Sequence, residues 1–430
     1  MRVACYDNLG NNAYEQAKSF RRLGVDTDVV VDPLDTFVMS DTRWEDLDLE
    51  LPTERLDRAE LPEDAPVPDW VRRPPPTARD ARSRAGLAEG ALRSMPACVG
   101  GLRRGGLYGA YLVAVRSWVL RTLREYDVVF ARGAGPAWCA LAHVRCIAQT
   151  YGGDITIAPF LDQPSFPGAE HAPASTASRE DRAVARLQRH GLQRSERVLL
   201  SDPRFFPFAR RLGLADRAAF VPFVLDTEKF VPGQQPELRR QLLGENVGPL
   251  VFVPSRQDWR WKGSDRILQG FAEATAGRPE IRLVCSGWGS DLERSQALAA
   301  ELGLRDRTVF LPNALSKSRL VRYLQAADVV VDQVMLGSYG TSALEAMSCS
   351  RPVVMHPDAA RFDGRFPRLP PVRSAESAAD VARELRALID QPRRRDQLGA
   401  EGRAWVVEHH GGSVARRLLE LAGSSGSRNP

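Results

Sequence analysis

The sequence predicts an α/β protein: two doubly wound, Rossmann-like domains facing across a cleft. Three observations carry that expectation. The chain has 430 residues, enough for two cores at about 150 residues per domain. Apolar residues make up 43% and charged residues 26%, a globular balance that excludes wholesale disorder. Short apolar runs alternate with helical-period segments in two successive series, the pattern of parallel strands covered by helices.

The opening run Arg2-Val-Ala-Cys-Tyr-Asp7 reads as a buried strand. The turn Asn8-Leu-Gly-Asn-Asn12 leads into a helix over 13–23, closed by Gly24. A strand over 25–32 completes a βαβ unit with a right-handed crossover. Residues 26–69 then hold 15 acidic and 3 basic side chains, and 72–145 hold 13 basic and 4 acidic. With Pro74-Pro-Pro76 and paired glycines at 100–101 and 105–106, about 40–105 reads as an irregular insertion. Helix 107–124, strand 127–131, helix 136–149 and strand 154–161 follow, then helix 179–190 and strands 197–201 and 218–224.

The second series has strands over 250–253, 281–285, 308–311, 328–332 and 352–355. Helices over 265–274, 292–302, 318–327, 341–348, 378–390 and 394–408 separate or follow them, and Ser377-x-x-Asp380 forms a capping box. The expected organisation is therefore a domain over 1–225, a linker over 226–247, a domain over 248–410 and a flexible tail over 411–430.

Composition narrows the chemistry. The six cysteines are scattered, with no C-x-x-C and no His partner at zinc spacing, so neither a disulfide framework nor a metal site is expected. Neither an apolar run of about 18 residues nor a secretory leader is present, which makes a cytoplasmic protein the expectation. Net charge is +5, but the basic segment lacks interleaved aromatic residues, so nucleic acid is not an expected partner. Only four lysines occur, at positions 18, 229, 262 and 317, against 55 arginines. A lysine at a strand end is thus a selective feature, whereas Lys317 reads as an ordinary surface residue.

Ligands of doubly wound sheets gather at the carboxyl ends of strands. After strand 250–253, Arg256 and Lys262 lie before a helix start at Ser264, two cations suited to a diphosphate. After strand 328–332, Gly337 and Gly340 allow close backbone approach, Thr341 and Ser342 can cap the next helix, and Glu345 can accept from sugar hydroxyls. The turn holding Gly10 and Asn11 lacks both G-x-G-x-x-G and a P-loop, which disfavours a nicotinamide dinucleotide and P-loop phosphoryl transfer.

Arg256…Lys262-Gly263, Ser286-Gly-Trp-Gly289, Phe310-Leu-Pro312, Gly340-Thr-Ser-Ala-Leu-Glu-Ala-Met347 and Arg351-Pro-Val-Val354 resemble the second domain of GT-B-fold glycosyltransferases of family 4 (group 1). The resemblance implies a retaining, metal-independent transferase using a nucleoside-diphosphate sugar, with no other cofactor. It assigns the donor diphosphate to Arg256 and Lys262, the ribose to Glu345, and the base to the backbone at Phe310 and Leu311. Gly340, Thr341 and Ser342 would meet the phosphates, with Gly10 and Asn11 closing from the first domain. Glu345 joins Arg256 and Lys262 as the catalytic set. Two positions depart from the family: Gly337 stands where a second glutamate is usual, and Tyr151 where a histidine is common. Tyr151 and Asp154 are then the acceptor-side candidates.

The expected function is transfer of a sugar to a saccharide, lipid-linked or small-molecule acceptor in glycan biosynthesis. A catalytically silent glycan- or partner-binding module and a nucleotide-sugar epimerase stay open as alternatives. The arginines at 72, 73, 79, 82, 84, 103 and 104 suggest peripheral association with the inner face of a membrane. Simple packing of helix 107–124 on the first domain is the other outcome.

Overall fold

The computed structural model describes residues 1–32, 38–48, 50–52, 61, 65–74, 117–163, 177–244 and 248–424. The chain divides into two compact units. Unit 1 comprises Met1–Thr36, Pro66–Phe223 and Val414–Pro430, and unit 2 comprises Phe37–Ala65 and Val224–Ser413. In chain order the first strands are β1 (Arg2–Tyr6), β2 (Asp26–Val30), β3 (Glu50–Pro52), β4 (Val71–Arg72), β5 (Val128–Ala131), β6 (Cys146–Thr150), β7 (Arg197–Leu200) and β8 (Ala218–Phe220). The others are β9 (Leu250–Val253), β10 (Arg282–Cys285), β11 (Thr308–Phe310), β12 (Asn313–Leu315), β13 (Val329–Val331), β14 (Val353–Met355) and β15 (Arg373–Ser374).

Unit 1 is built on a parallel sheet of order β4-β2-β1-β5-β6-β7-β8. Unit 2 repeats the design with the parallel order β11-β10-β9-β13-β14-β15. The central strands β5, β6, β9 and β13 are buried at every residue, and β5, β9 and β13 read as unbroken apolar runs. In unit 2 the helices Ser264–Ala274 and Ala378–Asp390 close on the sheet through Ile267, Leu268, Phe271, Val381 and Leu385. The capping box at Ser377 and Asp380 forms as the sequence indicates.

Several boundaries differ from expectation. The helix expected over 136–149 runs Gly135–Ala142, because His143 takes a left-handed φ of 56° and ends it. The next residues form β6, sandwiched between β5 and β7. A strand covered on both faces has no alternation, so periodicity alone does not separate it from a buried helix. No strand occupies 154–161. Gly153–Thr156 and Ala158–Phe160 are single helical turns.

Domain membership differs as well. Residues 38–48 and 50–52, expected within a first-domain insertion, pack into unit 2. Lys229 pairs with the fully buried Glu45 at 2.9 Å. The Ser316 hydroxyl donates to the Leu47 carbonyl at 2.6 Å, and Arg319 and Arg322 reach Asp48 at 3.3 and 3.2 Å. β3 pairs antiparallel with β12. The acidic block thus meets cations of the helix Lys317–Ala326, an attraction between segments distant in sequence.

The expected linker 226–247 also belongs to unit 2, with Phe230, Leu238 and Leu243 buried and a helix over Pro236–Leu243. Its apolar anchors are too widely spaced to register as a period. Of the expected flexible tail 411–430, a helix spans Gly412–Ser424, and 425–430 lie outside the described residues. Val414, Ala415, Leu418 and Ala422 are buried, and Arg145 donates to the Ala422 carbonyl at 2.9 Å.

Of the expected helix 107–124, the described part is Ser117–Leu123, whose Val119 and Leu123 are core residues of unit 1. Arg72, read as a surface cation, pairs with Glu125 at 3.2 Å. The arginines at 79, 82, 84, 103 and 104 lie outside the described residues. Among the described residues no helix is long and apolar enough to cross a membrane.

Leu418 is fully buried on the returning helix. Leu418→Ala should destabilise unit 1 by about 2–5 kcal/mol, the cost of a cavity in a packed core. Urea unfolding followed by circular dichroism measures this, and an unchanged midpoint would show that the helix contributes nothing.

Candidate functional site

In both sheets the strand order reverses beside the first strand: β1 lies between β2 and β5, and β9 between β10 and β13. Successive connections leave such a point in opposite directions and open a crevice at the carboxyl ends.

In unit 2 the loop after β9 is organised by Asp258, which is 5% exposed. Its carboxylate accepts from the Trp261 N–H at 2.8 Å and from Arg256 at 3.0 and 3.2 Å. Its carbonyl accepts from the Lys262 and Gly263 N–H groups, both at 3.0 Å. Gly263 has φ 72°, and a Cβ there would lie 2.6 Å from Val334 Cγ2, so the turn requires glycine. The two cations are therefore presented by one folded loop.

That loop is joined to the one after β13. The Val334 N–H donates to the Lys262 carbonyl at 3.0 Å, and Lys262 Nζ donates to Gln333 Oε1 at 2.9 Å. Gln333 is buried and its amide donates to the Ser338 carbonyl. The helix Thr341–Ser348 then begins at Gly340 with no side-chain cap. Thr341 and Ser342 lie inside its first turn, a correction to their expected capping role. The first-turn N–H groups remain available to an anion.

Glu345 lies on the same helix and is 1% exposed. Lys317 Nζ pairs with its Oε1, while Oε2 has no hydrogen-bond partner among the described residues. Lys317 is thus no ordinary surface lysine. It is 15% exposed and belongs to the site.

The base-side candidates are held from behind. Gln257 N–H donates to the Trp288 carbonyl at 2.7 Å, which places the Ser286–Gly289 turn beside the cation loop. A Cβ on Gly287 would fall 1.6 Å from the Leu311 carbonyl oxygen, so this backbone contact admits only glycine. Phe310 packs against the core and Leu311 is buried, leaving mainly backbone to offer a ligand. Gly337 has φ 64°, and a Cβ there would lie 3.0 Å from both Arg361 Nη1 and Asp358 Cβ. A side chain at 337, such as the glutamate the resemblance leads one to expect, would be strained in this left-handed turn and crowded by the segment after β14.

In unit 1 the turn after β1 has Gly10 at φ 59° and Asn11 at φ 62°. The Asn11 side chain is buried: its Oδ1 accepts from Asn8 at 2.7 Å, its backbone N–H donates to the Asn8 carbonyl at 2.9 Å, and its Nδ2 has no hydrogen-bond partner among the described residues. At the end of β5 stands Arg132, 1% exposed, which donates to the Tyr151 hydroxyl at 3.1 Å and to Gln16 at 2.5 Å. Tyr151 also stacks on Phe223, with centroids 5.1 Å apart. Asp154 accepts from the Gly152 N–H at 2.9 Å and the Tyr151 N–H at 3.1 Å. Burial pushes its carboxyl up to about 6 despite those donors, which favour the ionised form.

Within unit 2 the structure thus links Arg256, Lys262, Phe310, Leu311, Gly340, Thr341, Ser342 and Glu345 through contacting loops. Gly10, Asn11, Tyr151 and Asp154 belong to unit 1. Sequence reasoning missed Arg132, Asp258, Lys317 and Gln333. A charge directly after an apolar strand marks Arg132, and the scarcity of lysine marks Lys317.

Residues 234–362 match the family model described as glycosyl transferases group 1. The D-inositol 3-phosphate glycosyltransferase of Acidothermus cellulolyticus is 35% identical over 158 residues, covering 35% of this chain and 34% of that protein. Its namesake in Nocardia farcinica is 32% identical over 217 residues, covering 48% and 47%. The chain thus spans a third to a half of the length of these curated relatives. Anabaena HepE, solved with UDP and glucose, aligns with TM-score 0.62 at 15% identity over 99% of this chain and 100% of that one. WaaG, a glycosyltransferase involved in lipopolysaccharide biosynthesis, aligns with TM-score 0.54 at 14% identity over 98% and 99%. The fold is the GT-B fold of glycosyltransferases.

Two predictions follow from this geometry. Asp258→Ala removes the acceptor of a loop N–H and the partner of Arg256. It should cost about 1–3 kcal/mol in chemical unfolding, and no loss would show that the loop holds without it. For Asp154, the unfolded carboxyl ionises near 4 and the folded one near 6. The native state keeps the proton longer, so wild-type stability should fall relative to Asp154→Asn as pH rises through that window, then level off. Urea titrations of both proteins at pH 4.5, 5.5 and 7 measure the difference. A constant gap would contradict the burial of this carboxyl.

Proposed function

We propose that the protein is a retaining, metal-independent glycosyltransferase. It moves a sugar from a nucleoside-diphosphate sugar to a saccharide, lipid-linked or small-molecule acceptor. The observation that carries this reading is the joined pair of loops after β9 and β13. They hold Arg256 and Lys262 together with the uncapped start of helix 341–348 and the open oxygen of Glu345. Arg256 and Lys262 neutralise charge on the departing nucleoside diphosphate, and the first-turn N–H groups add partial positive charge to the same end. Glu345 Oε2 accepts from a ribose hydroxyl. The backbone at Phe310 and Leu311 flanks the base. The turn at Gly10 and Asn11 is the phosphate-contact candidate of unit 1. Tyr151 and Asp154 serve the acceptor, and the relatives' names add a phosphorylated polyol to the acceptors worth screening.

Nucleoside-diphosphate release from a panel of nucleotide sugars, with and without acceptors, tests the reading. Turnover should require an acceptor and survive EDTA, because two side-chain cations supply the charge. Lys262→Ala should lower kcat/KM by roughly 30- to 1000-fold, the loss of about 2–4 kcal/mol of leaving-group stabilisation. The exposed Arg393→Ala serves as control. Binding without transfer to any acceptor would indicate a silent module, and donor interconversion without acceptor an epimerase. Activity abolished by EDTA and restored by Mg²⁺ would overturn the two-cation mechanism.

A further inference from the structure

Glu345 poses a physical problem that its expected role leaves unanswered. A carboxylate at 1% exposure, flanked on its helix by the fully buried Leu344 and Ala346, is costly unless a cation compensates it. It also lies five residues beyond Gly340, about 7 Å along the axis, where an uncompensated negative charge repels a diphosphate at the helix start. Lys317 answers both difficulties. Its ammonium pairs with Oε1, and Oε2 has no hydrogen-bond partner among the described residues.

We propose that Lys317 is the positioning residue for nucleoside recognition. It keeps Glu345 ionised and fixed by one oxygen, so that the other accepts from a ribose hydroxyl. The proposal rests on the donor-site reading of unit 2 given above.

The lysine is itself held from several sides. Ser316, directly before it, caps its helix and donates to the Leu47 carbonyl at 2.6 Å. Ser318, directly after it, donates to the Asp46 carbonyl at 3.1 Å. β12 ends just upstream and is paired with β3, while Arg319 and Arg322 bind Asp48. The segment 45–52 therefore clamps the backbone on either side of Lys317. The ammonium also lies 6.0 Å from the Phe230 ring centroid. Phe230 is fastened to the Glu345 helix, because its carbonyl accepts from Ser348 Oγ at 2.6 Å. Both partners of the ion pair are thus placed by buried contacts before a ligand arrives, the requirement for a preorganised acceptor.

The test compares a nucleoside diphosphate with its 2′,3′-dideoxy analogue by calorimetry. The base is that of UDP, ADP or GDP, whichever wild type binds most tightly. Wild type should prefer the ribose form at least tenfold. Lys317→Met keeps the apolar stem and should abolish that preference while leaving dideoxy affinity within about threefold, and Lys317→Arg should restore part of it. If Lys317→Met folds poorly, Lys317→Met/Glu345→Gln removes the stranded charge. It should recover the thermal midpoint without recovering the preference. An undiminished preference in Lys317→Met, or an equal loss of both ligands, would overturn the role of Lys317. Failure of wild type to bind any of the three nucleotides would overturn the donor-site reading itself.

Discussion

Burial of parallel strands on both faces is the constraint from which the rest of this protein follows. β9 and β13 are apolar at every residue, so no polar chemistry can sit along them. It is displaced to the points where they stop. Because β9 and β13 are neighbours, their two exit loops meet, and the Lys262 carbonyl and ammonium bind Val334 and Gln333 across the junction. Neither loop presents its groups alone. The cation loop in turn depends on Asp258, whose backbone and carboxylate close the turn.

Three buried acceptors of unit 2 are each met by a lysine. Lys229 meets Glu45, Lys262 meets the Gln333 carbonyl oxygen, and Lys317 meets Glu345. A compact ammonium fits one buried acceptor, whereas a guanidinium needs room for a planar fork of donors. Such pairs add little net stability over apolar packing, but losing one partner strands a buried charge. They therefore serve placement: Glu45 fastens the segment 38–52 to unit 2, and that segment clamps the backbone around Lys317.

The departure at Gly337 has a backbone explanation. A left-handed φ of 64°, with Arg361 and Asp358 crowding the absent Cβ, selects glycine there whatever the chemistry nearby.

What the sequence alone determined was local. The alternation of apolar runs with helical periods marks both doubly wound sheets, and the helices Thr341–Ser348 and Ala378–Asp390 match their expected limits. The loop holding Arg256 and Lys262 is legible because strand, glycine and helix start are adjacent in the chain. Tertiary structure decided whatever depends on partners far along the chain. Residues 146–150 are a strand because β5 and β7 bind them on either side. The segment 38–52 belongs to unit 2 because Lys229, Ser316 and Arg319 receive it, and 412–424 is a packed helix because unit 1 buries one of its faces. Lys317 joins Glu345 across 28 positions of sequence. A local period records which face of an element is apolar, but it does not record which distant residue will cover that face or neutralise a charge beside it. The core and the exit loops were therefore readable in advance, while the cations and carboxylates that hold them in place were not.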